Sequence, residues 1–292
     1  MKPSRMPTYG GQALIEGVMM RGSRYAVAAM RAPDDQIVLE TEELKGIYRQ
    51  GWTKLPFLRG IVSLWDALGL GMGFLTKSAN LQAPEEEKME GGSMALTVAL
   101  SLLIAAGLFF AAPAFLAHLV ERALNASALV GNLIEGLIRL IIIVGYIWGV
   151  GRIPEIGRVF AYHGAEHKTI NAFEDGAELK PSVVIRYSLE HPRCGTAFLL
   201  TLVIFSIIIF TLLGPMDPIV RILSRVVALP LLAGLAYEYI RFTANYIDNP
   251  VIKILVKPNL ALQRLTTREP DEKMVEVAIC AFQAMREKET AS

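Results

Sequence analysis

The chain has 292 residues, a formal net charge of +1 and a mean hydropathy of +0.40, and 53% of its residues are hydrophobic. Long apolar runs alternate with blocks of mixed charge, which marks a multi-pass membrane protein and excludes an ordinary soluble domain. The balanced charge leaves no basic face for nucleic acid, and two cysteines make no disulfide framework.

Residues 1–60 predict a small cytosolic lobe that contains β-structure. Its polar start carries no cleavable signal peptide, so insertion is expected from internal spans. Glycines 10, 11, 17 and 22 bracket short apolar groups in a tightly turned segment that comes close to something. It is no phosphate loop, because the lysine and Ser/Thr of that motif are missing. Residues 25–30 and 37–41 flank Pro33, Asp34 and Asp35 and read as two strands and a turn. Within residues 61–79, apolar side chains at 61, 64, 65, 68, 72 and 75 have the spacing of an amphipathic helix lying in the membrane interface. A re-entrant or fifth spanning helix is the competing reading. Residues 80–93 form an acidic linker.

Four transmembrane helices in two antiparallel hairpins follow. Residues 94–151 hold the first hairpin, whose second span carries Glu135 and Arg139 one turn apart. That pair reads as a bundle-packing device, or as a functional intramembrane pair. Residues 197–240 hold the second hairpin, with Arg221 and Arg225 placed to snorkel to headgroups at one end. His118 reads as an interfacial residue. Lysines and arginines number eleven in residues 1–93, six in 152–196 and eight from 241 onward, against three on the other side. The positive-inside rule therefore puts both termini and the 152–196 segment in the cytosol. Tyr146, Trp148, Tyr237 and Tyr239 fall near the inner boundary as an aromatic belt. In the tail, 241–292, an apolar stretch at 251–256 is ended by Pro258. A closing helix has Pro270 in its first turn and buries Met274, Val277, Ala278, Ala281, Phe282 and Met285.

Three of the four histidines and one of the two cysteines lie in residues 152–196. His163 and His167 are one helical turn apart, with Glu166 beside them, in an H-x-x-E-H pattern. His191 and Cys194 return about twenty-five residues later. These four are the candidate ligands of a divalent metal, zinc by its liking for nitrogen and sulfur. In that reading Glu166 handles the proton of an activated water. The competing reading is hydrogen-bonded packing and interfacial groups. Glu174 lies seven residues beyond His167, about 10 Å along the axis, too far for direct ligation and suited to a supporting or substrate-facing role. Gln12, Glu16, Arg21, Arg193 and Arg268 belong to the neighbouring blocks and are expected around the same site.

The strings GQALIEGVMMRG at 11–22, HGAEHK at 163–168, HPRCG at 191–195 and LTTREPD at 265–271 resemble the signature blocks of the bacterial YqhQ-like family. The resemblance covers nearly the whole chain. It implies a multi-pass protein of the bacterial cytoplasmic membrane, in a group described as predicted metal-dependent enzymes, and implies no substrate. Two functions are expected. The first is a metal-dependent hydrolase at the cytosolic membrane face, acting on a lipid-borne or membrane-protein substrate. The second is a non-enzymatic factor for membrane-protein assembly or envelope maintenance, with a structural metal or docking loop. Membrane lipids surround either one, and a homo-oligomer stays open.

Overall fold

A computed structural model describes residues 9–46, 50–51, 55–88, 91–214 and 216–291. Parts of the 1–60 lobe and of the 80–93 linker therefore lie outside the described residues. The glycine-bracketed segment is a hairpin of β1 (Gly10–Leu14) and β2 (Gly17–Arg21), and the two expected strands are β3 (Tyr25–Arg31) and β4 (Ile37–Glu43). All four pair antiparallel in chain order. Gly17 has to be glycine for the packing, since a Cβ would stand 2.5 Å from the Ala29 carbonyl oxygen. The two central strands are covered on both faces, which explains their unbroken apolar character. Val18, Met20, Val27 and Ala29 face one core, and Met19, Ala26, Ala28 and Met30 face another.

The first core is closed by α4 (Pro154–Glu174) and the C-terminal α10 (Glu272–Ala291). Every residue expected on the inner face of α10 is buried there. Pro270 precedes the helix instead of sitting in its first turn. Asp271 begins it, its carboxylate accepting the Met274 N–H at 2.8 Å.

The second core is closed by α1 (Leu58–Gln82), which contains a π-helical turn at Ala67–Gly71. The small residues of α1 face the protein: Gly60 against Gly234 and Tyr237, Gly71 against Gln12, and buried Ser78, whose hydroxyl accepts the Ile15 N–H. The first part of its expected apolar stripe faces out, with Ile61 39% and Trp65 62% exposed, whereas Leu75 turns onto the sheet core. The chain leaves the sheet at Glu43 and returns to its other face with residues 72–82.

The other long helices are α2 (Ala95–Leu124), α3 (Ala128–Val150), α6 (Thr196–Leu213), α7 (Pro218–Val227), α8 (Leu229–Asn245) and α9 (Pro250–Gln263); α5 (Pro181–Val184) is a single turn. Helices α1, α2, α3 and α6 are long and apolar enough to cross a membrane. Small residues mediate their closest packing, as at Gly136, where Ile207 occupies the space of a Cβ. One expectation changes in form: the segment expected as the fourth span is two helices, α7 and α8, bent by 46° at Ala228. Pro230 in the first turn of α8 has no N–H to continue the α7 ladder. Pro258 does not end the tail segment either; α9 runs through it. Side-chain contacts from Asn259 to Thr201 and from Gln263 to His191 hold the helix beyond the missing bond.

The largest correction concerns Arg221 and Arg225. They do not snorkel; they turn inward and are 6% and 1% exposed. Arg225 donates to both oxygens of Glu135 at 2.9–3.0 Å, and Arg221 donates to Glu135 at 2.9 Å and to Glu121 at 2.7 Å. Arg139 completes the network with Glu135 at 2.7 Å, Ser206 at 2.9 Å and the Phe109 carbonyl at 2.9 Å. That carbonyl lies in a π-helical turn of α2, Gly107–Ala111, where the widened ladder shifts the usual backbone pairing.

Candidate metal centre

Helix α4 presents His163 and His167 on one face, as their spacing requires. The HPRCG segment ends at the first turn of α6 and brings Cys194 to them. His163 Nδ1 lies 2.9 Å from the Thr266 carbonyl and His167 Nδ1 lies 2.5 Å from the Leu189 carbonyl. A carbonyl can only accept, so each Nδ1 carries a proton, and the tautomer with this proton has its lone pair on Nε2. His163 Nε2 meets Cys194 Sγ at 3.1 Å. His167 Nε2 is buried without a hydrogen-bond partner. One ligand atom from each of His163, His167 and Cys194 lies within 4.8 Å of the others. Tetrahedral zinc with ordinary Zn–N and Zn–S bonds separates its ligand atoms by about 3.3–3.6 Å. The donor types and the tautomers suit such an ion, and ligand atoms up to 4.8 Å apart would have to draw together to hold it.

His191 stands beside this set, its ring centroid 5.6 Å from that of His167. Its Nε2 faces Arg193 at 3.4 Å and Glu174 at 3.9 Å, and burial pushes its pKa down. Glu174 pairs with Arg193 at the end of α4, which stops at the Asp175–Gly176 turn, where Gly176 has a φ of 78°. Burial works to raise the Glu174 pKa, but the His191 ring and Arg193 outweigh it and hold the carboxyl below its usual range.

Glu166 points to the sheet side of α4. The Gly11 N–H donates to its carboxylate, and a Cβ at Gly11 would stand 2.8 Å from the Glu166 carboxyl carbon. Thus the close approach expected of the glycine segment is to Glu166. Oxygen Oε2 of Glu166 is buried with no hydrogen-bond partner, and burial raises the carboxyl pKa to about 7.

The remaining residues expected around the site hold its scaffold. Glu16, with a φ of 51°, accepts Arg158 Nη2 at 2.6 Å and the Tyr162 hydroxyl at 3.2 Å, which clamps the β1–β2 turn to α4. Gln12 and Arg21 reach α1 at the ends of its π-turn, at the Gly71 carbonyl and Asp66. Arg268 donates to the Gly151 carbonyl, and its own N–H donates to the Phe160 carbonyl at 2.9 Å. Gly157 and Gly164 give that strand of chain room against α4.

Gln263 was not among the expected site residues. It exchanges two hydrogen bonds with the His191 backbone, at 2.8 and 2.9 Å, and fixes the loop that carries Cys194. Lys168 is likewise structural: its ammonium donates to the Ile185 and Tyr187 carbonyls at 2.8 Å and pairs with Glu269.

Residues 55–288 match the family described as Protein of unknown function (DUF1385), and the chain belongs to that family. It is also 37% identical, over 304 residues, to the uncharacterized protein YqhQ of Bacillus subtilis (strain 168), covering 98% of this chain and 94% of that protein. No solved structure matches.

Proposed function

We propose that this member of the DUF1385 family is a membrane-embedded, metal-dependent hydrolase whose site lies at the cytosolic membrane face. The observation that carries the reading is the convergence of two carbonyl-locked imidazoles and a thiol on one point, with His167 Nε2 buried and unpartnered. His163, His167 and Cys194 would hold the ion, leaving a fourth position for substrate or water. Bound there, a zinc ion would supply Lewis-acid chemistry.

The protein's own residues do the rest. The Thr266 and Leu189 carbonyls fix both ring orientations, as supporting partners of metal-binding histidines commonly do. Gln263 and the Thr196 N–H, 3.4 Å from Cys194 Sγ, hold the sulfur in place. Glu166 keeps one buried carboxylate oxygen without a partner on the sheet side of α4, near enough to His163 to feel its charge, and would be the group that accepts a proton. Cys194 stands two residues before α6, so substrate would arrive from the membrane surface, as a lipid-borne or membrane-protein group.

For the orientation, the basic residues support four crossings, α2, α3, α6 and the bent α7–α8 pair, with both termini inside. Helix α1 then dips into the cytosolic leaflet, since the sheet is its neighbour before and after. A cysteine introduced at Asn125 is expected to react with an impermeant thiol reagent added outside, and one at Ser182 is not. Labelling at Ser182 in intact cells would overturn this arrangement.

A second reading has its own observation: Glu166, His167, His191 and Cys194 are all at most 7% exposed, which suits a structural ion in a non-enzymatic assembly factor. Glu166→Gln separates the two. It keeps shape and hydrogen-bonding reach but cannot take a proton, so the hydrolase reading expects a folded, metal-replete variant that fails to complement a deletion strain. His163→Ala and His167→Ala, by contrast, are expected to lose the metal. Full complementation by metal-replete Glu166→Gln decides for the second reading.

A further inference from the structure

Helices α2, α3 and α7, with Gly214 and Met216, border a cavity of about 370 Å3 at the end of the bundle remote from the sheet. His118, Glu121, Arg122, Asn125, Asn132 and Arg221 line it. Exposed leucines flank it, Leu119, Leu124, Leu212 and Leu213 being 48–81% exposed, together with exposed Arg122, Asn125 and Asp217. Along α3, Asn132 is nineteen positions from Gly151, about 29 Å at 1.5 Å per residue, so the cavity is separate from the His/Cys cluster.

The wall is charge-unbalanced. Behind the cavity three buried guanidinium groups, of Arg139, Arg221 and Arg225, share two carboxylates, those of Glu121 and Glu135. Arg122 adds a fourth cation at the rim. Asp217, the nearest further acid in the chain, is exposed and is not part of the lining. Of the Arg221 nitrogens, Nε and Nη1 are spent on carboxylates at 2.9 and 2.7 Å, and Nη2 has only the Asn132 oxygen at 3.4 Å. Excess positive charge in apolar surroundings is costly unless a counter-ion joins it. Two arginines with free donor capacity match the oxygens of a phosphate group.

We propose that this cavity binds a phosphate group, held between Arg221 and Arg122, with His118 and Asn125 at its sides. The group could be carried by free phosphate or by an anionic phospholipid headgroup, and the same site would serve both.

The test uses the full-length protein purified in a neutral detergent. Inorganic phosphate is titrated calorimetrically at constant ionic strength, with chloride as the control. In a second arm the protein is placed in nanodiscs of phosphatidylglycerol or phosphatidylcholine, and retained lipid is read by native mass spectrometry. Saturable phosphate binding that weakens at least tenfold in Arg122→Gln supports the site with free phosphate as its source. Selective retention of phosphatidylglycerol, lost in Arg122→Gln, supports it with the headgroup as its source.

Arg221→Gln would disturb the folding network, so Ala126→Trp serves as the second variant; it fills the cavity without removing a charge. It is expected to abolish whichever binding the native protein shows. Absence of both forms of binding in the native protein, or binding unchanged in Arg122→Gln and Ala126→Trp, would overturn the proposal.

Discussion

Two buried polar groups among the described residues, one in the helix bundle and one in the lobe, are finished differently. In the bundle, none of the buried side-chain nitrogens and oxygens of Glu135, Arg139, Arg221 and Arg225 is without a partner. In the lobe, His167 Nε2 and Glu166 Oε2 are buried and bare. An unpaired buried polar atom costs about 1–3 kcal/mol, which a fold does not accept at adjacent residues without return. The paired cluster binds four helices together; the bare atoms are the ones the proposed metal site would use.

The sharpest way to break this contrast is Glu135→Ala. Three arginines would lose the carboxylate they share, and stranding a buried charge costs about 3–5 kcal/mol for a single broken pair. The variant is expected not to accumulate as monodisperse protein in detergent extracts, while Glu166→Gln accumulates normally. Native-like yield and melting temperature for Glu135→Ala would show that the network is dispensable, and the division between the clusters would fail.

Gly11→Ala reaches the other cluster without altering any candidate ligand. The new methyl would meet the Met19 carbonyl oxygen at 2.7 Å and the Glu166 carboxyl carbon at 2.8 Å. One of these is backbone, so the strain must move Glu166 or spread β1 from β2. Overpacking of this kind costs about 1–3 kcal/mol. The expected outcome is a folded protein, several degrees less stable, that binds metal but does not complement. Unchanged complementation would mean that the position of Glu166 is irrelevant to function.

What the sequence reveals about these clusters follows from what one dimension encodes. His163 with His167, and Glu135 with Arg139, are i,i+4 pairs, and helical periodicity alone puts each on one face. Cys194 stands out because cysteine and histidine are rare in this chain. Gly11 announces a close approach but cannot name Glu166 as its neighbour. Arg221 and Arg225 sit near a helix end, which fits snorkelling and inward pairing equally well; the 46° bend at Ala228 and the rotation of α7 decide between them. The carbonyls of Phe109, Leu189 and Thr266 are backbone atoms and leave no trace in residue identity. The LTTREPD block acts largely through such atoms, so its arginine drew attention that belonged in part to its main chain.

The smallest expected effect tests the same ion chemistry in a wetter place. Glu16 and Arg158 form a two-bonded pair like that of Glu135 and Arg225, but the Arg158 side chain is 53% exposed. The hydrogen bond from Arg158 holds the Glu16 carboxyl below its usual range, with burial opposing it. Because the folded-state value is depressed, the pair contributes stability above the ordinary glutamate pKa of about 4.3, and that contribution is lost as the pH falls through the folded value. Solvent screening limits it to below about 1 kcal/mol. Arg158→Gln is therefore expected to lower the melting temperature slightly at pH 7, with the gap from the native protein closing as the pH falls through the depressed Glu16 value and narrowing in high salt. A gap of several kcal/mol, or one that persists unchanged in acid, would show that the clamp works through packing on Tyr162 and not through charge. The β1–β2 turn would then be held to α4 by the same means as the rest of the sheet core.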